Sequence, residues 1–411
     1  MSSRVNWSQA SSAIGGDHLE ALLHLAADNS HIGTVKLFFG KDALLDQDNN
    51  TFLHCAAGSG YTDTVERLLN NDAPIEALNI DNNTPLHLAA KYGHTGVVEL
   101  LLRGGAFLEA IGQCGCTPLH IAVQEGHTRT VGLLLRKGAS FRATDKEDKT
   151  PLHCATIEGH SDIVGLILDH GAPINGLGFG NNAPLHWAAQ YGHTDVVELL
   201  LGKGASLEAV GNNALTPLHI AAQKGHTRVV ELLLEKGASL GAMDEDNKTP
   251  LFCAASEGHI EIAELLLGNG APINVLDKAN KTPLHWAAQN GHTGVVELLL
   301  RTGALTEGMD DINMTPLHWA ARYGHTGSVE LLLKNGASTE AKGKFDMTPL
   351  HWAARYGHTG SVELLLNKGA SIKAKDKYLR TPLYLAKQYR HTDAVKLLKN
   401  KAAKPAHGKR S

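Results

Sequence analysis

Residues 84–106 read TPLHLAAKYGHTGVVELLLRGGA, and this pattern returns every 33 residues along most of the chain. Threonine heads every regular copy except one, in which Ala183 takes its place. The heading threonines are Thr51, Thr84, Thr117, Thr150, Thr216, Thr249, Thr282, Thr315, Thr348 and Thr381. A period of this length indicates an array of stacked supersecondary units, so the repeat determines the architecture.

Each copy carries the signals of two short helices. Thr84 is a favourable N-cap residue, and Pro85 suits the first helical position, where its missing N–H costs nothing. Gly93 can take the left-handed conformation that ends a helix, and the apolar run after Thr95 predicts a second helix that Gly105 closes. The pattern therefore predicts a pair of antiparallel helices in every repeat.

A tight turn is expected before each heading threonine. The residue two positions earlier is Asn, Asp or Gly in most copies, and these types tolerate positive φ. Ala214 and Leu379 depart from this pattern.

The heading Thr-Pro-Leu-His, the Gly-His turn and the Val/Leu run at a 33-residue period resemble the ankyrin repeat. The resemblance covers the chain from about residue 21 to residue 401. It implies an all-α fold, an ankyrin-repeat solenoid of about twelve antiparallel helix pairs with hairpin-like finger turns. It also implies that the heading histidine is a structural residue that forms hydrogen bonds between neighbouring repeats.

Both ends of the array are irregular. The first repeat is three residues short, and the last has Tyr384 in place of the heading histidine and Arg390 in place of the turn glycine. Terminal repeats need a polar outer face, so both are interpreted as caps. The predicted organisation is a flexible N-terminal tail over residues 1–20, the solenoid over 21–400, and a basic C-terminal tail over 401–411.

The composition excludes several classes of protein. The chain has 411 residues, of which 43% are hydrophobic, with a net charge of −4 and five cysteines. It is too apolar for a disordered chain and too poor in cysteine for a disulfide scaffold, and it has no apolar run near the roughly 18 residues of a membrane span. Without a signal-peptide pattern, we expect an intracellular monomer, in the cytoplasm first, with the nucleus or delivery into a host cell left open.

Histidines are abundant but do not indicate a metal site. Ten follow the heading leucine and eleven follow the turn glycine position, so the period spaces them a whole repeat apart. Zinc needs three or four converging ligands. Cys55, Cys154 and Cys253 recur three repeats apart, and no phosphate loop or nucleophile motif is present. We therefore expect no catalytic residue, no metal and no cofactor.

Candidate binding residues are those that the fold does not need. In the repeat headed by Thr315, Leu317, Ala320 and Ala321 form the core face of the first helix, and Trp319, Arg322 and Tyr323 lie on the opposite side. Neighbouring repeats have similar residues at the same positions. Together these residues are called the stripe below: Trp286, Trp319, Arg322, Tyr323, Trp352, Arg355, Tyr356 and Tyr389.

Two interpretations of the stripe remain open. Trp, Tyr and Arg are enriched at interaction hot spots, so the stripe can be a partner-binding surface on the concave face. Alternatively, the tryptophan position, filled by Leu88 and Ile121 in other repeats, packs between neighbouring helices and was copied by duplication.

Charge is distributed unevenly along the chain. Residues 334–411 contain 17 Lys/Arg and 5 Asp/Glu, whereas residues 1–333 contain 21 and 37. The anionic-partner candidates are Lys373, Lys375, Lys377, Arg380, Lys399 and Lys401. This end is either a docking surface for nucleic acid or an anionic membrane, or a solubilising cap.

Taken together, the repeats predict a non-enzymatic protein–protein interaction scaffold or adaptor that binds protein partners on the concave face and finger tips. The alternative is a binder of nucleic acid or an anionic surface through the basic C-terminal end.

Overall fold

The computed structural model describes residues 49–403. The predicted tail over residues 1–20, the predicted first repeat up to residue 48 and the tail from residue 404 lie outside the described residues. The described residues divide into two compact units, with the boundary between residues 184 and 185. In the described range the secondary structure is α-helical, with four short 3₁₀ turns and no strand.

The first unit is a stack of helix pairs in which first helices pack on first helices and second on second. Its helices are α1 (Phe52–Ser59), α2 (Thr62–Asn70), α3 (Pro85–Lys91), α4 (Thr95–Arg103), α5 (Pro118–Gln124), α6 (Thr128–Arg136), α7 (Pro151–Glu158) and α8 (Ser161–Asp169).

The second unit has the same plan, and α9 begins at Pro184, the last residue of the first unit. Its helices are α9 (Pro184–Tyr191), α10 (Thr194–Gly202), α11 (Pro217–Lys224), α12 (Thr227–Glu235), α13 (Pro250–Glu257), α14 (Ile260–Gly268), α15 (Pro283–Asn290), α16 (Thr293–Arg301), α17 (Pro316–Tyr323), α18 (Thr326–Lys334), α19 (Pro349–Tyr356), α20 (Thr359–Asn367), α21 (Pro382–Gln388) and α22 (Thr392–Ala403). No helix within residues 49–403 has the length and apolar character needed to cross a membrane.

The first helix of the repeat headed by Thr315 begins and ends as its sequence predicts. Thr315 precedes α17 with φ −87° and ψ 167°, and Pro316 occupies the first helical position. Gly324 closes the helix at φ 77°, a conformation that costs other residues free energy. Leu317, Ala320 and Ala321 are fully buried. The two alanines keep the side-chain layer thin, which allows the helices of adjacent repeats to approach closely.

The finger turns before the heading threonines are of two kinds. In the first, an aspartate, or Asn79 in one repeat, closes the turn: Asp310 Oδ1 accepts the N–H groups of Ile312 at 3.0 Å and Met314 at 2.8 Å. In the second, Gly343 takes the aspartate position, because a Cβ there would lie 2.8 Å from Met314 Sδ. Positive φ occurs at every predicted turn position, including Ala214 at 56° and Leu379 at 61°, so these two departures do not change the turn.

The heading histidines connect adjacent repeats, as predicted. Nδ1 of His318 accepts the N–H of Thr315 at 3.0 Å, and its Nε2–H donates to the carbonyl oxygen of Met347 at 3.1 Å. Burial lowers the pKa of His318 to about 4, so the ring stays neutral in the folded protein.

The turn histidines link each repeat to the one before it. Nε2 of His325 lies 2.9 Å from the carbonyl oxygen of Gln289. Its ring also lies directly over Gly291, where a Cβ would meet His325 Nδ1. Each repeat is therefore linked to the following repeat by its heading histidine and to the preceding repeat by its turn histidine.

Candidate functional site

The tryptophans of the stripe belong to the packing between repeats. Trp319 and Trp352 are only 7% and 3% exposed and join a buried cluster with Met314, Met347 and Leu385. Trp286 is half-buried. For Trp319 and Trp352 the structure therefore agrees with packing, the second of the two interpretations, and the expectation that they face the open groove is wrong.

Aspartates of the finger turns hold two of these rings in place. The Nε1–H of Trp286 donates to Asp277 Oδ2 at 2.9 Å, and that of Trp319 donates to Asp310 Oδ2 at 2.8 Å. Gly343 stands where the next repeat would have its aspartate, and Trp352 Nε1 is buried with no acceptor in the described part of the chain. The aspartate nine residues before Trp286 and before Trp319 was the sequence signal for these two hydrogen bonds.

The tyrosines of the stripe are exposed. Tyr323, Tyr356 and Tyr389 are 45%, 41% and 41% exposed. Tyr323 stacks on Trp319 with ring centroids 6.0 Å apart, and Tyr356 stacks on Trp352 at 6.2 Å. Each buried indole therefore supports an exposed phenol in a fixed orientation.

Arg322 and Arg355 are half-buried and contact aromatic rings. The guanidinium carbon of Arg322 lies 5.3 Å from the ring centroid of Trp319 and 4.9 Å from that of Trp352 in the next repeat. That of Arg355 lies 5.8 Å from Trp352 and 5.1 Å from Tyr389. Cation–π contacts of this kind contribute about 0.5–2 kcal/mol each and fix the orientation of the guanidinium plane.

These two guanidinium groups keep their hydrogen-bonding capacity. Within residues 49–403, neither Arg322 nor Arg355 forms an ion pair or a side-chain hydrogen bond. The stripe brings together oriented arginines and exposed tyrosines, the residue types that dominate binding energy at interfaces.

Lys281 extends the stripe, although it was not among the predicted site residues. Its Nζ lies 4.7 Å from the ring centroid of Trp286 and 3.8 Å from that of Trp319, and it donates to Gln289 Oε1 at 2.7 Å. Burial lowers the pKa of Lys281. It directly precedes the heading threonine and so falls outside the helical spacing that defined the stripe.

The basic candidates at the C-terminal end differ in availability. Lys373, Lys375, Lys377, Lys399 and Lys401 are exposed. Arg380 instead forms an ion pair with the buried carboxylate of Asp376 at 2.8 Å, which also accepts the N–H of Arg380. Arg380 therefore stabilises its own finger turn and is not free to bind an anion.

The described residues were also searched for metal sites and for reactive cysteines. No group of three or more His, Cys, Asp or Glu residues in residues 49–403 is arranged to hold a metal ion. Burial raises the pKa of Cys154 and Cys253 to about 12, which keeps both thiols protonated and unreactive.

The family model for ankyrin repeats (3 copies) matches this chain five times, over residues 23–111, 106–177, 185–277, 265–343 and 339–407. No curated protein matches the chain significantly. Ankyrin repeats are in general modules of protein–protein interaction and are typically non-enzymatic. From its repeats, their helix pairs and these matches, we conclude that the chain belongs to the ankyrin repeat family.

Proposed function

We propose that this chain is a non-enzymatic scaffold or adaptor that binds protein partners through the exposed part of the stripe. The contact residues are Arg322, Tyr323, Arg355, Tyr356 and Tyr389, and the buried tryptophans support them. The observation that carries the proposal is the pair of half-buried arginines, held by aromatic rings and without an ion pair in the described range. Orienting these side chains in advance reduces the entropy that binding would otherwise lose.

We also propose that the chain acts as a monomer in the cytoplasm. The chain has only five cysteines, too few for a disulfide scaffold, in keeping with a reducing compartment.

The test separates binding from stability. Peptides are selected from a random display library on the full chain, and their affinities are measured by fluorescence anisotropy. Replacing Arg322, Tyr323, Arg355 and Tyr356 together by Ala should weaken binding by about 2 kcal/mol or more. The lost cation–π contacts should lower the melting temperature moderately and leave the variant folded at the temperature of the binding assay. The control variant carries Lys91→Ala and Tyr92→Ala, the equivalent positions of a first-unit repeat, and should bind like the wild type.

Two results would contradict the proposal. A steep fall in melting temperature would show that the four residues are structural. Unchanged peptide binding would place the interaction surface elsewhere.

A second candidate function is docking of nucleic acid or an anionic membrane at the basic end. Lys373, Lys375 and Lys377 are exposed and form no ion pair in the described part of the chain. Polyanion binding through such residues depends steeply on salt, which distinguishes this function from peptide binding in the stripe.

A further inference from the structure

Arg322 and Arg355 are basic groups for which their surroundings provide no carboxylate. Asp310, the aspartate in the finger turn of the repeat that contains Arg322, accepts from Ile312, Met314 and Trp319 and is thereby committed to its own turn. In the next repeat the equivalent residue is Gly343, and Trp352 Nε1 lacks an acceptor in the described range. The stripe is therefore short of negative charge where its two arginines lie.

The guanidinium geometry suits carboxylates. A planar guanidinium presents paired N–H donors that match the two oxygens of a carboxylate, and burial beside aromatic rings removes competing water. Both groups are half-buried, which keeps one side of each accessible.

The tyrosines argue against a nucleic acid as the occupant. Single-stranded nucleic acids bind such surfaces by stacking bases on free aromatic faces. Tyr323 has Trp319 and His325 as near-parallel neighbours at centroid distances of 6.0 and 6.3 Å, and Tyr356 has Trp352 and His358 at 6.2 Å each. Each tyrosine ring therefore already has two aromatic neighbours within the protein, which leaves less of its face for a base.

The spacing of the arginines sets the spacing of the partner's charges. Their guanidinium carbons lie 4.9 and 5.8 Å from the same Trp352 ring centroid, so they are no more than about 11 Å apart. A polyproline II chain has three residues per turn and rises about 3.1 Å per residue, so side chains three residues apart lie on the same face, about 9 Å from each other. We propose that the stripe binds an acidic peptide in the polyproline II conformation whose two Asp or Glu side chains, three residues apart, pair with Arg322 and Arg355.

This inference rests on the proposed function. A single selection of displayed peptides has outcomes that distinguish failure of the inference from failure of the proposed function. Random peptides are displayed and selected on the full chain, then counter-selected on the variant with Arg322, Tyr323, Arg355 and Tyr356 replaced by Ala. Stripe-dependent peptides enriched in acidic pairs three residues apart support the inference. Stripe-dependent peptides without such pairs overturn it and leave the proposed function intact, whereas recovery of no stripe-dependent peptide contradicts both.

The most frequent acidic peptide is then used as the probe in fluorescence anisotropy. Arg322→Gln and Arg355→Gln should each weaken its binding about tenfold or more, since each removes a charge-assisted hydrogen-bond pair. Arg322→Lys should restore only part of the affinity, because an ammonium lacks the planar donor pair. Moving the two acidic residues to adjacent positions should also weaken binding.

The matched control is Lys373→Gln, which removes one positive charge, as each arginine variant does, at an exposed position. If this control lowers the affinity for the peptide as much as the arginine variants do, general electrostatic attraction explains the binding and the proposal is overturned. It is equally overturned if a single-stranded oligodeoxynucleotide of the same charge binds more tightly and depends on the two arginines.

Discussion

Two tryptophans that lie in identical stretches of sequence should contribute very differently to the free energy of unfolding. Trp319 and Trp352 lie in stretches that are identical over 20 residues, Met314–Leu333 and Met347–Leu366. Both rings are buried, so replacing either by Phe removes a similar apolar area. The difference is the acceptor: Trp319 Nε1 donates to Asp310 at 2.8 Å, whereas Trp352 Nε1 has none in the described range.

The expected difference follows from the hydrogen bond. Trp319→Phe loses a hydrogen bond to a charged group, about 1.5–3 kcal/mol, and leaves Asp310 Oδ2 without that donor. Trp352→Phe removes a buried unsatisfied N–H, whose burial costs about 1–3 kcal/mol. We therefore expect Trp319→Phe to lower the free energy of unfolding by about 3 kcal/mol more than Trp352→Phe does.

Urea unfolding followed by circular dichroism measures this difference. Because repeat arrays depart from two-state behaviour, native-state hydrogen exchange in α17 and α19 accompanies the midpoints. Trp286→Phe is the control, since its indole also donates to an aspartate but is half-buried, and its cost should be smaller than that of Trp319→Phe. Equal costs at positions 319 and 352, or the reverse order, would refute the reasoning.

Three further outcomes follow from the structure. Burial lowers the pKa of His87, His285 and His318 to about 4. These rings titrate near pH 6.5 in the unfolded chain, so the free energy of unfolding has its full value above pH 6.5. As the pH falls from 6.5 to about 4, each of these histidines lowers the free energy of unfolding by about 1.4 kcal/mol per pH unit. Urea midpoints across this range should be less pH-dependent in His318→Phe, a replacement for which Phe252 in the same repeat position is the natural precedent; a flat wild-type profile would contradict this. Deleting Thr216 to Lys248, one repeat, should leave a folded protein by circular dichroism, because repeats contact only their neighbours; loss of the helical signal would oppose it. If the basic end binds polyanions, ending the chain at Asn400 should weaken duplex DNA binding and reduce the salt slope, which changes by about 0.9 per phosphate contact; no binding by the full chain at low salt would eliminate that function.

Helix positions could be predicted because the residues that begin and end them act locally. Thr315 and Pro316 begin α17 and Gly324 ends it through their own backbone preferences. The turn at Leu379 could not be predicted from the type of that residue, because hydrogen bonds of other residues, in its own turn and in the neighbouring repeat, hold the backbone there. The N–H of Lys377 donates to the carbonyl oxygen of Phe345 at 2.8 Å and that of Leu379 to Asp376 at 2.9 Å, which holds Leu379 at positive φ.

The site was predicted in part for the same reason. Helical spacing correctly placed Tyr323 and Tyr356 on the exposed side, since that depends on their own helix. It could not show that Trp319 is covered, because the covering atoms come from the finger turn and from the next repeat. Lys281 lies next to an N-cap, outside any helical period, and only the packing of two repeats brings it over both indoles.

Residue-level footprinting of the tyrosines tests the central claim, that partners bind at the stripe, most directly. Tyrosine iodination of the full chain, read by mass spectrometry, is compared with and without a saturating selected peptide. Tyr323 and Tyr356 are 45% and 41% exposed and should become protected, while Tyr92, 54% exposed in the equivalent position of the first unit, should react unchanged. Protection of Tyr92 with no change at Tyr323 and Tyr356 would contradict the account.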